Sequence, residues 1–407
     1  MNIIFITLGD IKSMKERSIY TDLMQEFIEH GHSVYIVSPI EKRYHKDTYL
    51  IKEENVEILK VKIGNIFHTN MIEKGISTIL LENKFKNAIK ANWKNITFDI
   101  VLYSTPPITF AKVIRYLKKS SEALSYLLLK DIFPQNAVDL KLFHRHGIIY
   151  WYFRRKEIKL LKLSDYIGTM SKANTDYILR HNSFMNKDRV EECPNSIQPI
   201  QGNSLVDKDD IREEYSIPKE RTVFLYGGNL GKPQAVDFII ECLKLNSDCE
   251  DRYFIICGKG TDYHKLEHYL NVTKQDNVKI INGLPKTEYD LLVQACDIGL
   301  IFLDYHFTIP NFPSRILTYM EYCMPVIACT DRASDIGQVI TDGGFGFWCE
   351  SNNALKFKEI VDKLCSDRAL IKTMGSNARL FLEENYTTKT SYDIIMKHFV
   401  KENGHVS

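Results

Sequence analysis

Residues 311–330 read Asn-Phe-Pro-Ser-Arg-Ile-Leu-Thr-Tyr-Met-Glu-Tyr-Cys-Met-Pro-Val-Ile-Ala-Cys-Thr. Pro313 and Ser314 mark a helix start, because a proline in the first turn forfeits no hydrogen bond and a serine hydroxyl can accept from free backbone N–H groups. Ile316, Leu317 and Met320 recur at helical spacing and face a core. Met324 and Pro325 close the helix, and Val326-Ile327-Ala328 reads as a short buried strand. A helix followed at once by a buried strand is the repeating unit of a parallel sheet. The helix start carries free N–H groups, the Ser314 hydroxyl and Arg315, which together make an anion site suited to a diphosphate.

The same alternation extends upstream. Val223 to Tyr226 is a strand that runs into Gly227-Gly228-Asn229-Leu230-Gly231-Lys232-Pro233-Gln234, with a helix starting nearby. Glycines at a strand–helix turn let backbone N–H groups approach an anion closely. Tyr253 to Cys257 ends in Gly258-Lys259-Gly260, followed by a helix through Leu266. Val278 to Ile281 leads to Gly283-Leu284-Pro285 and a helix from Lys286 to Cys296, and Asp297 to Leu303 is the next strand. Gly343-Gly344-Phe345-Gly346 is a further glycine turn. Helices at Asn353 to Leu364, Arg368 to Glu384 and Thr390 to Lys401 close the chain.

A first alternating series occupies the N-terminal half. Its strands are Asn2 to Thr7, Val34 to Ser38, Val56 to Ile63, Ile100 to Ser104, Leu124 to Leu129, Tyr166 to Met170 and Val190 to Cys193. Its helices are Arg17 to His30, Ile72 to Trp93, Ile108 to Lys119 and Ser171 to about His181. No Gly-x-Gly-x-x-Gly follows the first strand, so the dinucleotide fingerprint is absent there. Two turns stand out, Thr105-Pro106-Pro107 and Lys130-Asp131-Ile132-Phe133-Pro134, because polar residues just after a buried strand sit where open parallel sheets place their ligands. Asp131 is a candidate acceptor-side or catalytic carboxylate; alternatively its side chain caps the next helix.

The polar stretch from Gln198 to Asp210 lacks periodicity and marks a domain boundary. The expected division is 1–200, 201–385 and a C-terminal helix in 386–407 that returns to the first domain. A chain of 407 residues is too long for one ordinary core. A net charge of +1 argues against a general nucleic-acid binder. The nine cysteines are scattered, odd in number and without a Cys-x-x-Cys pair, a pattern of reduced thiols in a cytoplasmic protein. No His/Asp/Glu cluster has metal spacing. The apolar N-terminus reads as a strand rather than a signal peptide, and no apolar run is long enough to span a bilayer.

Lys141 to Leu163 departs from this balance. Its seven Lys and Arg residues face one acid, Glu157, and Ile148-Ile149-Tyr150-Trp151-Tyr152-Phe153 precedes Arg154-Arg155-Lys156. Aromatics beside a basic helix suit a membrane interface, which makes Tyr150 to Lys162 a candidate contact with an anionic membrane surface. The competing reading is an amphipathic helix whose aromatic part packs on its own domain.

The two alternating series, with glycine turns in the second, resemble the GT-B glycosyltransferases, and more narrowly the retaining family 4. The resemblance rests on Gly227 to Gly231, Gly258-Lys259-Gly260, Asn282-Gly283-Leu284-Pro285, Ala295-Cys296-Asp297-Ile298-Gly299, Pro313-Ser314-Arg315 with Pro325 to Ala328, and Met374-Gly375-Ser376-Asn377-Ala378-Arg379. The turns Ser104 to Pro107 and Asp131 to Pro134 resemble the subgroup that builds bacterial capsule and O-antigen repeat units, including N-acetylfucosamine transferases.

The resemblance implies an α/β fold of two Rossmann-like domains facing across a cleft. The second domain would hold a sugar nucleotide, expected to be a UDP-sugar, and the first a lipid-linked saccharide acceptor, with no metal or other cofactor required. It implies that Gly231 and Lys232 neighbour the phosphates, that Ser314 and Arg315 bind them from the helix end, that Leu284 and Pro285 lie near the base, and that Gly228, Asn229 and Gly258 also belong to the nucleotide site. Lys232 and Arg315 would stabilise the leaving diphosphate, with Asp131 on the acceptor side. The location implied is cytoplasmic, peripheral on the inner face of the cell membrane.

One position departs from the family. Its pair of glutamates eight positions apart is replaced by Pro310 and Thr318, so Thr318 stands where the ribose is usually held. Gln234 stands at a position often basic in the family, which leaves Lys232 to supply the charge. Two competing functions follow, a sugar-nucleotide epimerase and a non-catalytic nucleotide-binding assembly subunit.

Overall fold

The computed structural model describes residues 1–66, 69, 71–201 and 207–399. Residues 202–206 of the polar boundary stretch, and Val400 and Lys401 at the end of the last expected helix, lie outside the described residues. The chain forms two units, residues 1–198 with 388–407, and residues 199–387.

The first unit contains an eight-stranded sheet. Its strands are β1 (Asn2–Ile6), β2 (Ser33–Glu41), β3 (Tyr49–Glu53), β4 (Val56–Ile63), β5 (Ile100–Ser104), β6 (Leu124–Leu129), β7 (Tyr166–Thr169) and β8 (Val190–Glu192), in the order β3-β4-β2-β1-β5-β6-β7-β8. All pairs are parallel except β3–β4. The central strands β1 and β5 are mostly apolar and buried along almost their whole length, because both faces are covered. Helix Ile19–Glu29 starts at Ser18, whose hydroxyl accepts from Thr21 N–H while the Thr21 hydroxyl accepts from Ser18 N–H. It stops before Gly31, which takes φ +78°. The C-terminal helix Thr388–Met396 packs on this helix, with Tyr392 edge-on to Phe27 at 5.0 Å. Helices Met71–Asn92, Ala111–Ser121 and Ile148–Leu163 lie side by side.

The second unit contains a six-stranded parallel sheet. Its strands are β9 (Thr222–Asn229), β10 (Arg252–Lys259), β11 (Val278–Ile281), β12 (Ile298–Phe302), β13 (Val326–Thr330) and β14 (Gly346–Glu350), in the order β11-β10-β9-β12-β13-β14. In both sheets the order reverses beside the first strand, at β1/β5 and at β9/β12. Such switch points open a crevice at the strand ends where open α/β sheets bind ligands.

Several elements differ from expectation. β3 is an antiparallel edge strand absent from the sequence reading. Helix Lys208–Glu214 begins at the end of the stretch read as aperiodic: Arg212 and Lys208 both pair with Asp297, and Arg212 is buried. The helix after β5 begins at Ala111, three residues later than expected.

Candidate functional site

The site of the second unit begins where β9 and β12 part. Their register ends at Leu300 opposite Tyr226, so the backbone groups beyond need other partners. The Tyr319 hydroxyl supplies them. It accepts from Gly227 N–H at 3.2 Å and lies 3.1 Å and 3.2 Å from the Leu225 and Leu300 carbonyl oxygens. Gly299 makes room for the Tyr319 ring, since a Cβ there would stand 2.3 Å from it. A Cβ on Gly227 would stand 1.8 Å from the Tyr289 hydroxyl. Three tyrosines, Tyr226, Tyr289 and Tyr319, thus enclose the first glycine turn.

Arg315 lies against this frame. Its guanidinium carbon is 4.5 Å from the centroid of the Tyr226 ring, a cation–π contact. Gly228 has φ +135°, and a Cβ there would be 3.0 Å from Arg315 Nη2, so glycine is required both for the backbone angle and for the approach. Arg315 is partly buried, and its Nη1 is buried with no hydrogen-bond partner among the described residues. A buried cationic donor left unpaired is costly, and an anion at the glycine turn removes that cost.

The second glycine turn packs on the first. A Cβ on Gly258 would be 1.9 Å from Gly228 O, and one on Gly260 would be 2.1 Å from Leu230 O. Asn229 is exposed, and its Nδ2 donates to Gln234 Oε1 at 2.7 Å, which also receives Gly231 N–H at 3.4 Å. Gln234 is therefore a buried brace of the loop. Lys232 is exposed at the start of the short turn Lys232–Gln234. Gly283, at φ +68°, accommodates the Lys259 stem. Leu284 and Pro285 lead into helix Lys286–Gln294, with Pro285 exposed. Thr318 is partly buried, one turn into helix Arg315–Glu321.

The expected helix start is corrected. Ser314 has helical backbone angles and its hydroxyl makes no cap bond, so the helix begins at Arg315. It ends at Glu321 rather than at Met324, because Cys323 turns to φ +54° and Met324 N–H bonds back to Tyr319 O at 2.9 Å. Glu321 is buried and accepts from Ile200 N–H at 2.9 Å, so its carboxylate is committed to the chain entering this unit. Gly375 lets helix Arg368–Asn385 reach Cys323 O, and Arg379 donates to Glu321 O at 3.1 Å. The Met374-to-Arg379 motif therefore supports the helix that carries Arg315. Asp331, which the sequence reading passed over, is buried and accepts from Ser334 N–H and Oγ at 2.8 and 3.0 Å. The same Ser334 hydroxyl accepts from Asn311 N–H at 2.9 Å, fixing the loop before Arg315.

In the first unit the two expected turns meet. Lys130 N–H donates to Thr105 Oγ1 at 3.0 Å, and the Ser104 hydroxyl to Thr7 Oγ1 at 3.0 Å, joining the ends of β1, β5 and β6. Asp131 does not cap the next helix, Gln135–Asp139, which has no side-chain cap. Its carboxylate instead accepts from Asn136 Nδ2 at 2.8 and 3.0 Å, and burial pushes it up to about 6. Glu157 is pushed up to about 7, chiefly by burial, while its partner Arg154 opposes the rise. Lys130 is lowered to about 8 by burial, and its Nζ donates to Cys193 O at 3.0 Å. A buried lysine absent from the sequence reading, Lys60, donates to Asp10, to Ser38 Oγ at 2.8 Å and to Ile11 O at 3.0 Å, holding the loop after β1.

Helix Ile148–Leu163 divides between the two expectations. Phe153 turns inward, 4.9 Å from Phe133, and Arg154 donates to Asn182 Oδ1 at 2.7 Å as well as pairing with Glu157. Ile148, Ile149, Trp151 and Tyr152 are exposed, Ile148 at 89%.

Two parallel-sheet Rossmann-like units with glycine turns at a switch point define the GT-B fold of glycosyltransferases. Residues 207–381 match the family described as glycosyl transferases group 1. A relative from Pseudomonas aeruginosa, "Probable glycosyltransferase WbjE", is 22% identical over 335 residues, 79% of each chain. "Putative colanic acid biosynthesis glycosyl transferase WcaI" of Escherichia coli is 22% identical over 281 residues, 65% of this chain and 64% of that one. Among solved structures, Anabaena Alr3699/HepE in complex with UDP-glucose superposes with a TM-score of 0.70 at 13% identity, covering 98% of this chain and 99% of that one.

Proposed function

We propose that the protein is a retaining glycosyltransferase that moves a sugar from a UDP-sugar to a lipid-linked saccharide in the synthesis of a capsular or O-antigen polysaccharide. The observation that carries this reading is the buried, unpartnered Nη1 of Arg315 beside the positive-φ glycine of the first turn. A glycosyl diphosphate supplies the anion this arrangement calls for. The family match over residues 207–381 and the names of the relatives support the reaction class, and the UDP-glucose held by the Anabaena neighbour supports the donor.

In this reading the bond between the anomeric carbon and the diphosphate oxygen breaks as the acceptor hydroxyl bonds to the same carbon. Negative charge grows on the diphosphate, and Arg315 with Lys232 stabilises it. Asp131, with its carboxyl near 6, is ionised at neutral pH and basic enough to receive a proton on the acceptor side. The charge on the diphosphate is met by side chains, so nucleotide binding is metal-independent. The protein works at the inner face of the cell membrane, held peripherally through helix Ile148–Leu163; among the described residues no helix is long and apolar enough to cross a bilayer.

Calorimetry with UDP and GDP, with and without magnesium, tests the donor assignment. Binding of UDP that survives chelation is expected. Binding of neither nucleotide to folded protein would sink it. Nucleotide binding without transfer to any lipid-linked acceptor would favour an assembly subunit, the reading that Thr318 at the ribose position suggests.

A further inference from the structure

An open groove of about 470 Å³ runs between helices Ala111–Ser121 and Ile148–Leu163. Arg115, Arg155, Lys159 and Lys162 line it, with Ile158 and Leu163. Three cations of this helix layer are neutralised: Arg154 pairs with Glu157, Lys118 with Asp165 and Lys112 with Glu82. The groove cations are not. Arg115, Arg155 and Lys159 make no hydrogen bond or ion pair among the described residues, and the Lys162 ammonium lies 4.8 Å from the Phe184 ring centroid. Four positive charges therefore converge on one cleft of small-ligand size with no acid among them.

The cleft is continuous with the exposed apolar surface. Ile148, Tyr152, Arg155, Lys159 and Lys162 follow one another at spacings of four, three, four and three, which is a single helical stripe. Its N-terminal end is apolar and exposed, with Trp151 at 55%, Ile149 at 55% and Leu142 at 61% alongside. Its C-terminal half is the cationic wall. Apolar side chains leading into unpaired cations match the layering of a bilayer surface, with acyl chains below and phosphates above.

We infer that this groove is a binding site for the phosphate headgroup of an anionic phospholipid, with Arg115 reaching it from the neighbouring helix. The inference rests on the proposed membrane association and adds a defined site to it. A diffuse basic face attracts any anionic surface in proportion to its charge, roughly five-fold per cation. A guanidinium-lined groove prefers phosphate, whose oxygens accept paired N–H donors.

The test is co-sedimentation of the full chain with phosphatidylcholine vesicles carrying either phosphatidylglycerol or oleate, matched in surface charge. Wild type is expected to favour the phosphatidylglycerol vesicles at least five-fold. The double substitutions Arg115→Gln/Lys159→Gln and Arg155→Gln/Lys162→Gln should each erase that preference, while Lys84→Gln/Lys119→Gln, which removes the same charge outside the groove, should keep it. Two independent pairs guard against one that misfolds. If wild type binds both vesicles equally, or the preference survives both groove pairs, the groove assignment is overturned while membrane association stands. If wild type binds neither vesicle, the membrane reading itself has failed and takes the groove with it. If glycerol phosphate in solution binds the groove but vesicles show no preference, the site is for a soluble phosphate and the lipid assignment is overturned.

Discussion

The guanidinium of Arg315 rests 4.5 Å above the ring of Tyr226, the last inward residue of its strand before the glycine turn. This contact holds the cation in place without neutralising it, so the unpartnered Nη1 remains available to an anion. Arg315→Ala should weaken UDP binding by about 2–3 kcal/mol, the loss expected for charge-assisted hydrogen bonds. Arg315→Lys should recover only part of this, because an ammonium lacks the planar fork that stacks and donates twice. Lys130→Ala, in the other unit, should leave UDP affinity unchanged. Calorimetric titration of the three variants decides it, and equal losses for Arg315→Ala and Lys130→Ala would refute the placement.

Tyr319 serves the same site through the backbone. Tyr319→Phe keeps the ring in the space left by Gly299 but removes the hydroxyl that serves Gly227 N–H and two carbonyls. The cost should be about 1–3 kcal/mol of stability in the second unit, that of leaving buried polar groups unmet. Denaturant unfolding followed by Trp348 fluorescence, in a background with Trp93 and Trp151 replaced by Phe, measures it. A change below 0.5 kcal/mol, the ordinary surface range, would show that other groups satisfy this backbone.

Much of this architecture is legible before any coordinates. Ile100–Ser104 and Leu124–Leu129 are largely apolar runs, Val56–Ile63 and Val278–Ile281 are Val/Ile-rich stretches broken by charged residues, and the bounds of all four coincide with the observed strands. β3 was not legible, because an edge strand with one mixed face has neither a buried run nor clean alternation. The glycine turns were legible as strand–helix turns, but the tyrosines around them were not. Tyr226, Tyr289 and Tyr319 are far apart in sequence, and only strand divergence at the switch point gives Tyr319 its role. Gln234, in the sequence a missing positive charge, is in the fold a buried brace for Asn229 and Gly231.

Adjacent arginines in the basic helix have opposite roles. Arg154 compensates the buried Glu157, whereas Arg155 points into the groove unpaired. Removing one partner of a buried pair typically costs 3–5 kcal/mol, so Arg154→Ala should destabilise the first unit by roughly 3 kcal/mol. Arg155→Ala should change stability by less than about 0.5 kcal/mol. Urea midpoints of the two variants separate the cases. Equal destabilisation would mean that the pairing of Glu157 contributes nothing particular.

Asp331 gives the second unit a pH-dependent term of definite sign. Burial raises its carboxyl from 3.8 to about 6, although Ser334 N–H and Oγ partly offset this. With the folded value above the unfolded one, the folded state binds more protons between the two. The contribution to stability is therefore complete below pH 4 and lost as the pH rises through 6, a change on the order of 2–3 kcal/mol. Asp331→Asn cannot titrate, so the stability difference between wild type and variant should shift in the variant's favour from pH 4.5 to 7. Asp131 and Glu157 also titrate in this range, but they lie in the other unit and are common to both proteins, so they cancel in the difference. Urea unfolding read through Trp348, whose indole donates to Thr330 Oγ1 at 2.9 Å beside Asp331, reports on this corner of the fold. Parallel pH profiles for the two proteins would mean that Asp331 is already ionised well below pH 6, held by its contacts with Ser334 despite its burial.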